Sequence, residues 1–293
     1  MATPEIPNLN PPWQSMTVDR YAALEQLTGM NVVKVGDIWW HQVRPFLYRP
    51  LLPYKKYDSG KTMAGLNRVG AFQFGVEDGQ PHNSYLNPIM FEELDKYEIK
   101  ALPYSAQKHI KKALKNGVTV SRIVDEKEFA EIAYPCYMSF YQRTKYSYDK
   151  RRTQKDGFAR WAHTLFQFPE TVILGAFAGR ELVSYEISCV VEDTLCLKTL
   201  VNSDRALKLG AADLLLHTYR IGSREQPAIR QIYDSMLGQN PGINDYYFVR
   251  GARVLSLPAA LRMHPAVLWL IKGANKGIYR RLLGLRHDQL PAR

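Results

Sequence analysis

The chain has 293 residues, of which 46% are hydrophobic and 23% are charged. This balance is ordinary for a globular protein and excludes a wholly disordered chain, a collagen-like fibre and a coiled coil; the length suits two domains or one large one. Lys and Arg number 39 against 28 Asp and Glu, a net charge of +11. The surplus predicts an anionic partner, namely nucleic acid, acidic lipid or a phosphorylated ligand, unless it only keeps the surface soluble.

The start of the sequence, the cysteines and the histidines indicate the cellular compartment of the protein and whether it binds a metal or a cofactor. No apolar run approaches the roughly 20 residues that cross a bilayer, and the start of the chain holds acid and proline where a signal peptide has a basic patch and an apolar stretch. Cys136, Cys189 and Cys196 are too few for a disulfide framework and lack CxxC spacing. The histidines are scattered, with no pair at metal-ligand spacing on one helix. We therefore expect a cytoplasmic protein with no metal and no permanently bound cofactor.

The first hundred residues combine short elements with many prolines. Prolines up to position 12 predict a loose arm over residues 1 to about 16. We expect a helix over Asp19–Leu27, a strand over Val32–Val35 and a strand over Gly70–Val76. The segment 39–54 is rich in aromatic residues and interrupted by prolines, so it either lines a pocket or fills the base of a core.

The middle of the chain is predicted to be mainly helical. Helices are expected over Ala106–Asn116, Glu126–Arg143 and Phe158–Phe166, with a strand over Val118–Val124. Pro135 is expected to kink or split the second helix. The first helix carries a basic ridge of four lysines on one face, which are Lys108, Lys111, Lys112 and Lys115. The loop 145–155 is also basic and is predicted to be too polar to be core.

From residue 171 the pattern changes to strands. The expected strands are Val172–Phe177, an alternating run through Val191 that begins at Val183, and Leu195–Val201. A helix over Ala206–Tyr219 and a strand over Ile229–Met236 follow. Three antiparallel strands thus lead into a helix and a further strand. The last 40 or so residues are predicted to be mainly helical and are divided by Pro258 and Pro265.

Small residues lie near the start of the helix that follows these strands. They are Leu209, Gly210, Ala211 and Ala212. A helix start of this kind exposes main-chain N–H groups, which together with the helix dipole favour phosphate binding. The alternative is a plain connection in which small residues allow close packing.

Three stretches, taken in order, resemble the Fem-like branch of the GNAT superfamily of acyl- and aminoacyltransferases. They are Tyr104–Val118, with its basic helix and glycine stop; Ile173–Ser184, similar to a central hairpin; and Tyr233–Met236 with Gly242–Ala252, an acid on a strand followed by an aromatic–basic–glycine run. The resemblance implies an α/β fold of the α+β type, with a mainly antiparallel GNAT-like central sheet flanked by helices.

The resemblance also implies a division of the chain. We expect a degenerate N-terminal GNAT-like part over 1–100, an acyltransferase domain over 101–255 and a basic helical extension over 256–293. The chain departs from the family at Leu207, where the GNAT donor loop usually has Arg or Gln. In addition, the first hundred residues are short for a complete first Fem domain.

The implied reaction needs a group that accepts a proton from an attacking amine. Asp234 is a candidate because it interrupts an apolar strand, where a lone acid is expensive to bury. Glu186 is a second candidate, although the alternation of its strand places it on a polar, solvated face. Tyr247, beside Tyr246, is a candidate for returning a proton to the leaving group. Each residue also has a purely structural interpretation. Asp234 would be an acid paired with a lysine or capping a loop, Glu186 a surface acid, and Tyr247 a packed ring.

The implied co-substrates are an activated donor and an amine acceptor. Acyl-CoA is the favoured donor and aminoacyl-tRNA the alternative, with Leu209, Gly210, Ala211 and Ala212 as the donor-binding residues and a cell-envelope precursor as the expected class of acceptor. Lys108, Lys112 and Arg250 are the substrate-binding candidates, and a solvated basic face is their alternative. A non-catalytic module that binds nucleic acid or an anionic membrane is the alternative function. The segment 265–285, with apolar residues followed by basic ones, suits peripheral contact at the inner face of a membrane.

Overall fold

A computed structural model describes residues 12–64, 70–238, 241–274 and 276–284. Its α-helices are α1 Val18–Leu27, α2 Ser59–Ala64, α3 Tyr104–Lys115, α4 Glu126–Thr144, α5 Lys155–Phe166, α6 Asp204–Leu209, α7 Ala211–Arg224, α8 Pro241–Phe248, α9 Pro265–Ala274 and α10 Lys276–Leu283. Its strands are β1 Ser15–Met16, β2 Val32–Val35, β3 Ile38–Arg44, β4 Leu47–Pro50, β5 Lys56–Tyr57, β6 Ala71–Val76, β7 Ser84–Leu86, β8 Pro88–Phe91, β9 Val118–Arg122, β10 Thr171–Ala178, β11 Glu181–Val191, β12 Thr194–Asn202, β13 Gln231–Met236, β14 Arg253–Val254 and β15 Leu257–Arg262.

The chain divides into two units, each of them discontinuous in sequence. The first unit contains 1–17, 91–234 and 241–252, and the second contains 18–90, 235–240 and 253–293. The expected division into 1–100, 101–255 and 256–293 follows sequence order, whereas these units do not. Each unit has a mainly antiparallel sheet flanked by helices, so the predicted fold class is confirmed.

The sheet of the first unit runs β9, β10, β11, β12, β13 in spatial order. The strands from β9 to β12 are antiparallel neighbours, and β13 joins β12 in parallel after the crossover through α6 and α7. This is the order of elements that the strand and turn signals of residues 171–236 predict. The N-terminal arm was predicted to be loose up to about residue 16. Its last two residues instead form a strand, because β1 pairs in parallel with the end of β11. The rest of that arm, residues 1–11, lies outside the described residues.

Two strands of this sheet separate after a short contact. β12 and β13 have three registered pairs, from Thr194 opposite Gln231 to Cys196 opposite Tyr233. β12 then continues to Asn202 with β11 on its other side. β11 and β12 also shift register between Ile187 and Ser188, where β12 has one extra residue, Lys198. Bulges of this kind bend a strand and re-aim its side chains.

Two helices in the first unit differ in part from what was predicted. Of the two outcomes expected at Pro135, a kink or a split, the split does not occur, since α4 continues from Glu126 to Thr144. The helix expected over Ala206–Tyr219 is broken at Gly210, whose φ of 79° lies in the left-handed region that glycine adopts readily. Gly210 therefore ends α6 and begins α7.

The second unit is built on a sheet in the order β2, β3, β4, β6, β15, β7. The aromatic, proline-interrupted segment that was predicted to line a pocket or fill a core forms the β3–β4 hairpin. Trp40 is fully buried there and packs edge-on against Phe72 and Phe74, so this part of the segment is core. Trp39, Leu51 and Leu52 line a cavity of about 210 Å³, so the segment does both. β15 lies between β6 and β7, so the C-terminal segment that was expected to be mainly helical adds a strand to this sheet before α9 and α10.

Within the described ranges, no helix is long and apolar enough to cross a membrane. In the same ranges, no three His, Cys, Asp or Glu residues come together as a group that could hold a metal ion.

Candidate active site

Glu186 is a buried acid at the centre of the sheet of the first unit. Its strand, β11, is covered on both faces, so Glu186 is only 4% exposed and the expectation of a solvated face is wrong. Burial, and secondarily the charge of Asp234, raise the pKa of Glu186 well above its ordinary value. The hydroxyl of Tyr219 in α7 donates to the main-chain carbonyl of Glu186 at 2.7 Å and holds the strand at this point.

Asp234 and Tyr247 lie close to Glu186. Asp234 is on β13, beyond the last pair with β12, and Tyr247 is on α8. Burial raises the pKa of the Tyr247 phenol, and the charges of both acids and a hydrogen bond to the Asp234 side chain raise it further. The phenol therefore stays neutral and able to donate. The structure thus brings the three predicted catalytic residues together, while their roles remain predictions.

Tyr246 adds a polar group to this cluster without a protein partner. Its hydroxyl is buried and has no hydrogen-bond partner among the residues that the structure describes. Burial raises the pKa of Tyr246, and the charges of Glu186 and Asp234 contribute to the shift. An unpaired buried hydroxyl costs free energy, so this group is ready to bond a ligand atom.

Arg250 lies beside Tyr246, although it was proposed as a substrate-binding residue. Its guanidinium stacks on the Tyr246 ring, 3.5 Å from the centroid, and pairs with Asp213 in the first turn of α7 at 2.5 Å. Burial raises the pKa of Asp213, and the charge and hydrogen bond of Arg250 partly offset that rise. The anion that Arg250 holds in this structure is therefore a side chain of the protein itself.

Tyr148 also belongs to the site and was missed in the sequence, where its loop counted only as basic and exposed. Its hydroxyl donates to the carbonyl of Leu200 on β12 at 3.0 Å. Burial raises the pKa of Tyr148, and Tyr146 and the charges of Glu186 and Asp234 raise it further. Its φ of 50° is left-handed, a strained conformation for a bulky residue of a kind that is concentrated at functional sites. Tyr146 and Tyr148 in an otherwise basic loop were the available signal.

The same loop holds a buried cation. Arg152 is 8% exposed, and its guanidinium lies 4.1 Å from the centre of the Trp161 ring. It has no ion pair in the described part of the chain, and its Nε atom is buried without a hydrogen-bond partner. Burial lowers the pKa of Arg152. The expectation that this loop is too polar to be core is wrong at Arg152.

The predicted phosphate cradle, Leu209–Ala212, lies at the join of α6 and α7. A Cβ atom on Gly210 would come within 2.7 Å of the carbonyl oxygen of His109 in α3. Close packing therefore accounts for the glycine, as the structural alternative proposed. Leu209 and Ala212 are partly exposed, whereas Ala211 is buried, so part of this turn faces solvent.

The basic ridge of α3 lies beside this turn. Lys108 and Lys112 are exposed, while Ala106, Ile110 and Ala113 are buried on the opposite face, as the helical pattern predicts. Because the main chain at His109 contacts Gly210, the basic face of α3 and the start of α7 are neighbours.

The first unit also contains an open cavity of about 440 Å³. It lies between α4, the β10–β11 turn and the start of α6, and a pair between Arg205 and Glu181 stands at its rim. The Cys136 thiol at its wall has its pKa raised to about 12 by burial, which makes it an unreactive group at neutral pH. The acid cluster is not part of its lining.

Searches with protein-family models and among curated protein sequences find no match to this chain. Solved structures do match. FemX has a TM-score of 0.60 at 10% identity, covering 89% of this chain and 95% of that one. A second match is the C-terminal domain of a protein from Agrobacterium fabrum named as a putative lysylphosphatidylglycerol synthetase. Its TM-score is 0.55 at 9% sequence identity, and the match covers 86% of this chain and 90% of that one. L-PGS from Bacillus licheniformis has a TM-score of 0.53 at 14% sequence identity, and the match covers 93% of this chain and 99% of that one.

These similarities extend over almost the whole chain and define the class of fold. The chain has a GNAT-like fold of the kind found in FemX, with mixed α/β structure and two mainly antiparallel sheets. At these identities the comparisons define the fold alone.

Proposed function

We propose that this chain transfers an acyl or aminoacyl group from an activated ester or thioester to an amine, with Glu186 as the proton acceptor. The observation that carries the proposal is a buried acid with a raised pKa, next to a second acid, where two strands of a GNAT-like sheet separate. Enzymes concentrate strongly perturbed pKa values at functional sites. The GNAT-like fold supports the reaction class.

The reaction forms one bond and breaks another. The amine nitrogen attacks the carbonyl carbon of the donor, the new C–N bond forms, and the C–S or C–O bond to the leaving group breaks. The proton lost by the amine passes to the Glu186 carboxylate, and the leaving group departs as an anion that takes its proton from water. A base with a pKa near the working pH serves best and contributes about 10²–10⁴ in rate.

Asp234 and Tyr247 support this base in the proposal. Burial raises the pKa of Glu186, and the charge of Asp234 raises it further, since two neighbouring carboxylates resist ionising together. The Tyr247 phenol stays neutral and fixes Asp234 by a hydrogen bond. The Tyr246 hydroxyl, which has no partner among the described residues, is available to the carbonyl oxygen of the donor as negative charge develops there.

The proposed donor is acyl-CoA, with aminoacyl-tRNA as the alternative. Both are polyanions, and the exposed Lys108 and Lys112 stand next to the start of α7, where the Leu209–Ala212 turn would receive phosphate. For the acceptor we propose an amine on a cell-envelope precursor. The name of the Agrobacterium protein describes an aminoacylated phospholipid, which supports the envelope as the setting.

The proposed function is tested by transfer assays with labelled acyl-CoA and labelled aminoacyl-tRNA, each offered a panel of amine acceptors. We expect product by mass spectrometry from one donor class and a fall in kcat of about 10²–10⁴ in Glu186→Gln. Glu170→Gln makes the same change at another buried acid of this unit and is expected to keep the wild-type rate.

The donor turn is tested separately by Ala212→Glu and Ala212→Gln. Gly210 is unsuitable for this purpose because it packs against His109. An acid in the first turn of a helix stabilises the helix but repels phosphate, so only the Glu variant should lose donor binding in calorimetry. Equal binding by both variants would exclude this turn as the donor site.

The alternative function predicts a different result. If no donor gives product and the protein instead binds nucleic acid with a steep dependence on salt, the chain is a binding module and not a transferase.

A further inference from the structure

One helix of the second unit exposes an apolar face. No residue of α9 is buried, and Trp269 is 73% exposed, Leu270 58% and Val267 44%. Scattered apolar residues are normal on a protein surface, but a continuous patch marks an interaction site.

The patch is continuous on helical geometry. At 100° per residue, the residues of the exposed face span an arc of about 160°. They are Ala266, Val267, Trp269, Leu270, Gly273 and Ala274, and none of them is charged. The other side of the helix holds Leu268, which packs on the cluster of Leu47, Ala71 and Leu261.

The helix pair is firmly attached beneath this patch. Leu282 and Leu283 of α10 pack on the same cluster as Leu268. The side chain of Gln73, fully buried on β6, donates to the Leu282 carbonyl at 2.9 Å. A Cβ atom on Gly284 would come within 2.3 Å of the Tyr85 carbonyl oxygen, so the end of α10 lies directly on β7. The apolar face is therefore presented by a docked helix.

Charge identifies the partner. The sequence 265–284 contains four basic residues and no acid, and Lys272 and Lys276 are exposed. A second copy of a chain with a net charge of +11 would be repelled, whereas an anionic surface would be attracted. Apolar side chains with a tryptophan, bordered by lysine, suit the boundary between lipid headgroups and acyl chains.

We propose that α9 docks this protein on an anionic lipid bilayer. At 10 residues the helix is about 15 Å long, half the thickness of the hydrocarbon layer, so it lies in the plane of the interface. Trp269, Leu270 and Val267 enter the headgroup boundary while Lys272 and Lys276 contact anionic headgroups. This docking is independent of the proposed transfer reaction.

The test uses the full chain and two kinds of vesicle, phosphatidylcholine alone and phosphatidylcholine with an equal part of phosphatidylglycerol. We expect sedimentation with the anionic vesicles, together with a blue shift of tryptophan emission and its quenching by brominated acyl chains. The signal is assigned to Trp269 by its loss in Trp269→Phe, because Trp13, Trp40 and Trp161 are already buried but Trp39 is only half-buried. Leu270→Glu should weaken this binding by about tenfold or more.

A matched control distinguishes the loss of the apolar patch from the general effect of an added negative charge. Leu27→Glu makes the same change at a leucine of similar exposure, 61%, on α1 and should bind like the wild type. The pair Lys272→Glu and Lys276→Glu should abolish the preference for phosphatidylglycerol. Absence of vesicle binding, equal loss in both leucine variants, or a dimer in sedimentation velocity that Leu270→Glu dissociates would each overturn the proposal.

Discussion

Glu186 couples the stability of the protein to pH. Its pKa is raised in the folded state, so folding favours the protonated form. The contribution of Glu186 to the free energy of unfolding is fully present below its pKa in the unfolded state, near 4.5. This contribution declines as the pH rises towards the pKa of Glu186 in the folded state. Glu186→Gln removes this slope, which reaches at most about 1.4 kcal/mol per pH unit. Urea unfolding of both proteins across this range measures it, and parallel profiles would contradict the assignment.

Two buried arginines should respond unequally to the same substitution. Arg250→Met leaves Asp213 buried without its partner and should lower the free energy of unfolding by about 3–5 kcal/mol. Arg152 has no ion pair within the described ranges and only the more distant charge of Asp149 to offset its burial, so Arg152→Met removes a poorly compensated charge and loses one contact with Trp161. We expect its stability to fall by no more than about 1 kcal/mol or to rise. Denaturant titration of both variants checks this, and equal losses would refute it.

Single residues show where sequence reasoning stopped. Alternation along β11 correctly places Glu186 with Ser184 and Ser188 on one face, but a period of two does not say whether that face meets water. Asp234 stood out because it is a lone acid in an apolar strand. The tyrosines of its loop were the only signal for Tyr148, and they could not place it at the site because its contact with Leu200 joins residues 52 positions apart.

At the scale of elements, the α6–α7 join depends on one glycine. Gly210→Ala combines the cost of a left-handed backbone, roughly 1–2 kcal/mol, with a clash against the His109 carbonyl. Gly117, after α3, has a similar φ of 69°, but nothing lies within 4 Å of a Cβ there. Gly117→Ala therefore measures the backbone cost alone. We expect a lower melting temperature for Gly210→Ala than for Gly117→Ala, and similar values would show that α3 yields to the added methyl group.

The sequence predicts elements well where pairing is local. The hairpins of residues 171–202 and the crossover to β13 follow from alternation and turn residues, since each strand pairs with its neighbour in sequence. The start of the second unit was harder, because β3 and β4 are short and interrupted by prolines. Their assignment depends on β6, with which β4 pairs in parallel across the loop between them.

At the scale of the whole molecule, each of the two units is assembled from three separate segments of the chain. A linear sequence suggests domains in order, whereas here the second unit takes both its first strands and its last from distant parts of the chain. β15 carries Pro258, which argued against a central strand. The strand nevertheless pairs on both sides, because Pro258 lies opposite Tyr85 in the ladder with β7 and just before the ladder with β6, which begins at Ala259.

The position of β15 makes the C-terminal segment part of the core of the second unit. Ala259 is fully buried, and its strand pairs with β6 from Ala259 opposite Gly75 to Arg262 opposite Phe72. A chain that ends at Ser256 lacks this strand, so the amides of β6 lose a partner, and we expect them to exchange hydrogen far faster by mass spectrometry.

A chain that ends at His264 is the matched control. It retains β15 and loses α9 and α10, so the ladder with β6 remains and its amides should stay protected more strongly than in the shorter chain. The two truncations separate the sheet from the helices that cover it. Equal protection of β6 in the chain ending at Ser256 and in the full chain would mean that β15 is an appendage, as a division of the chain in sequence order implies.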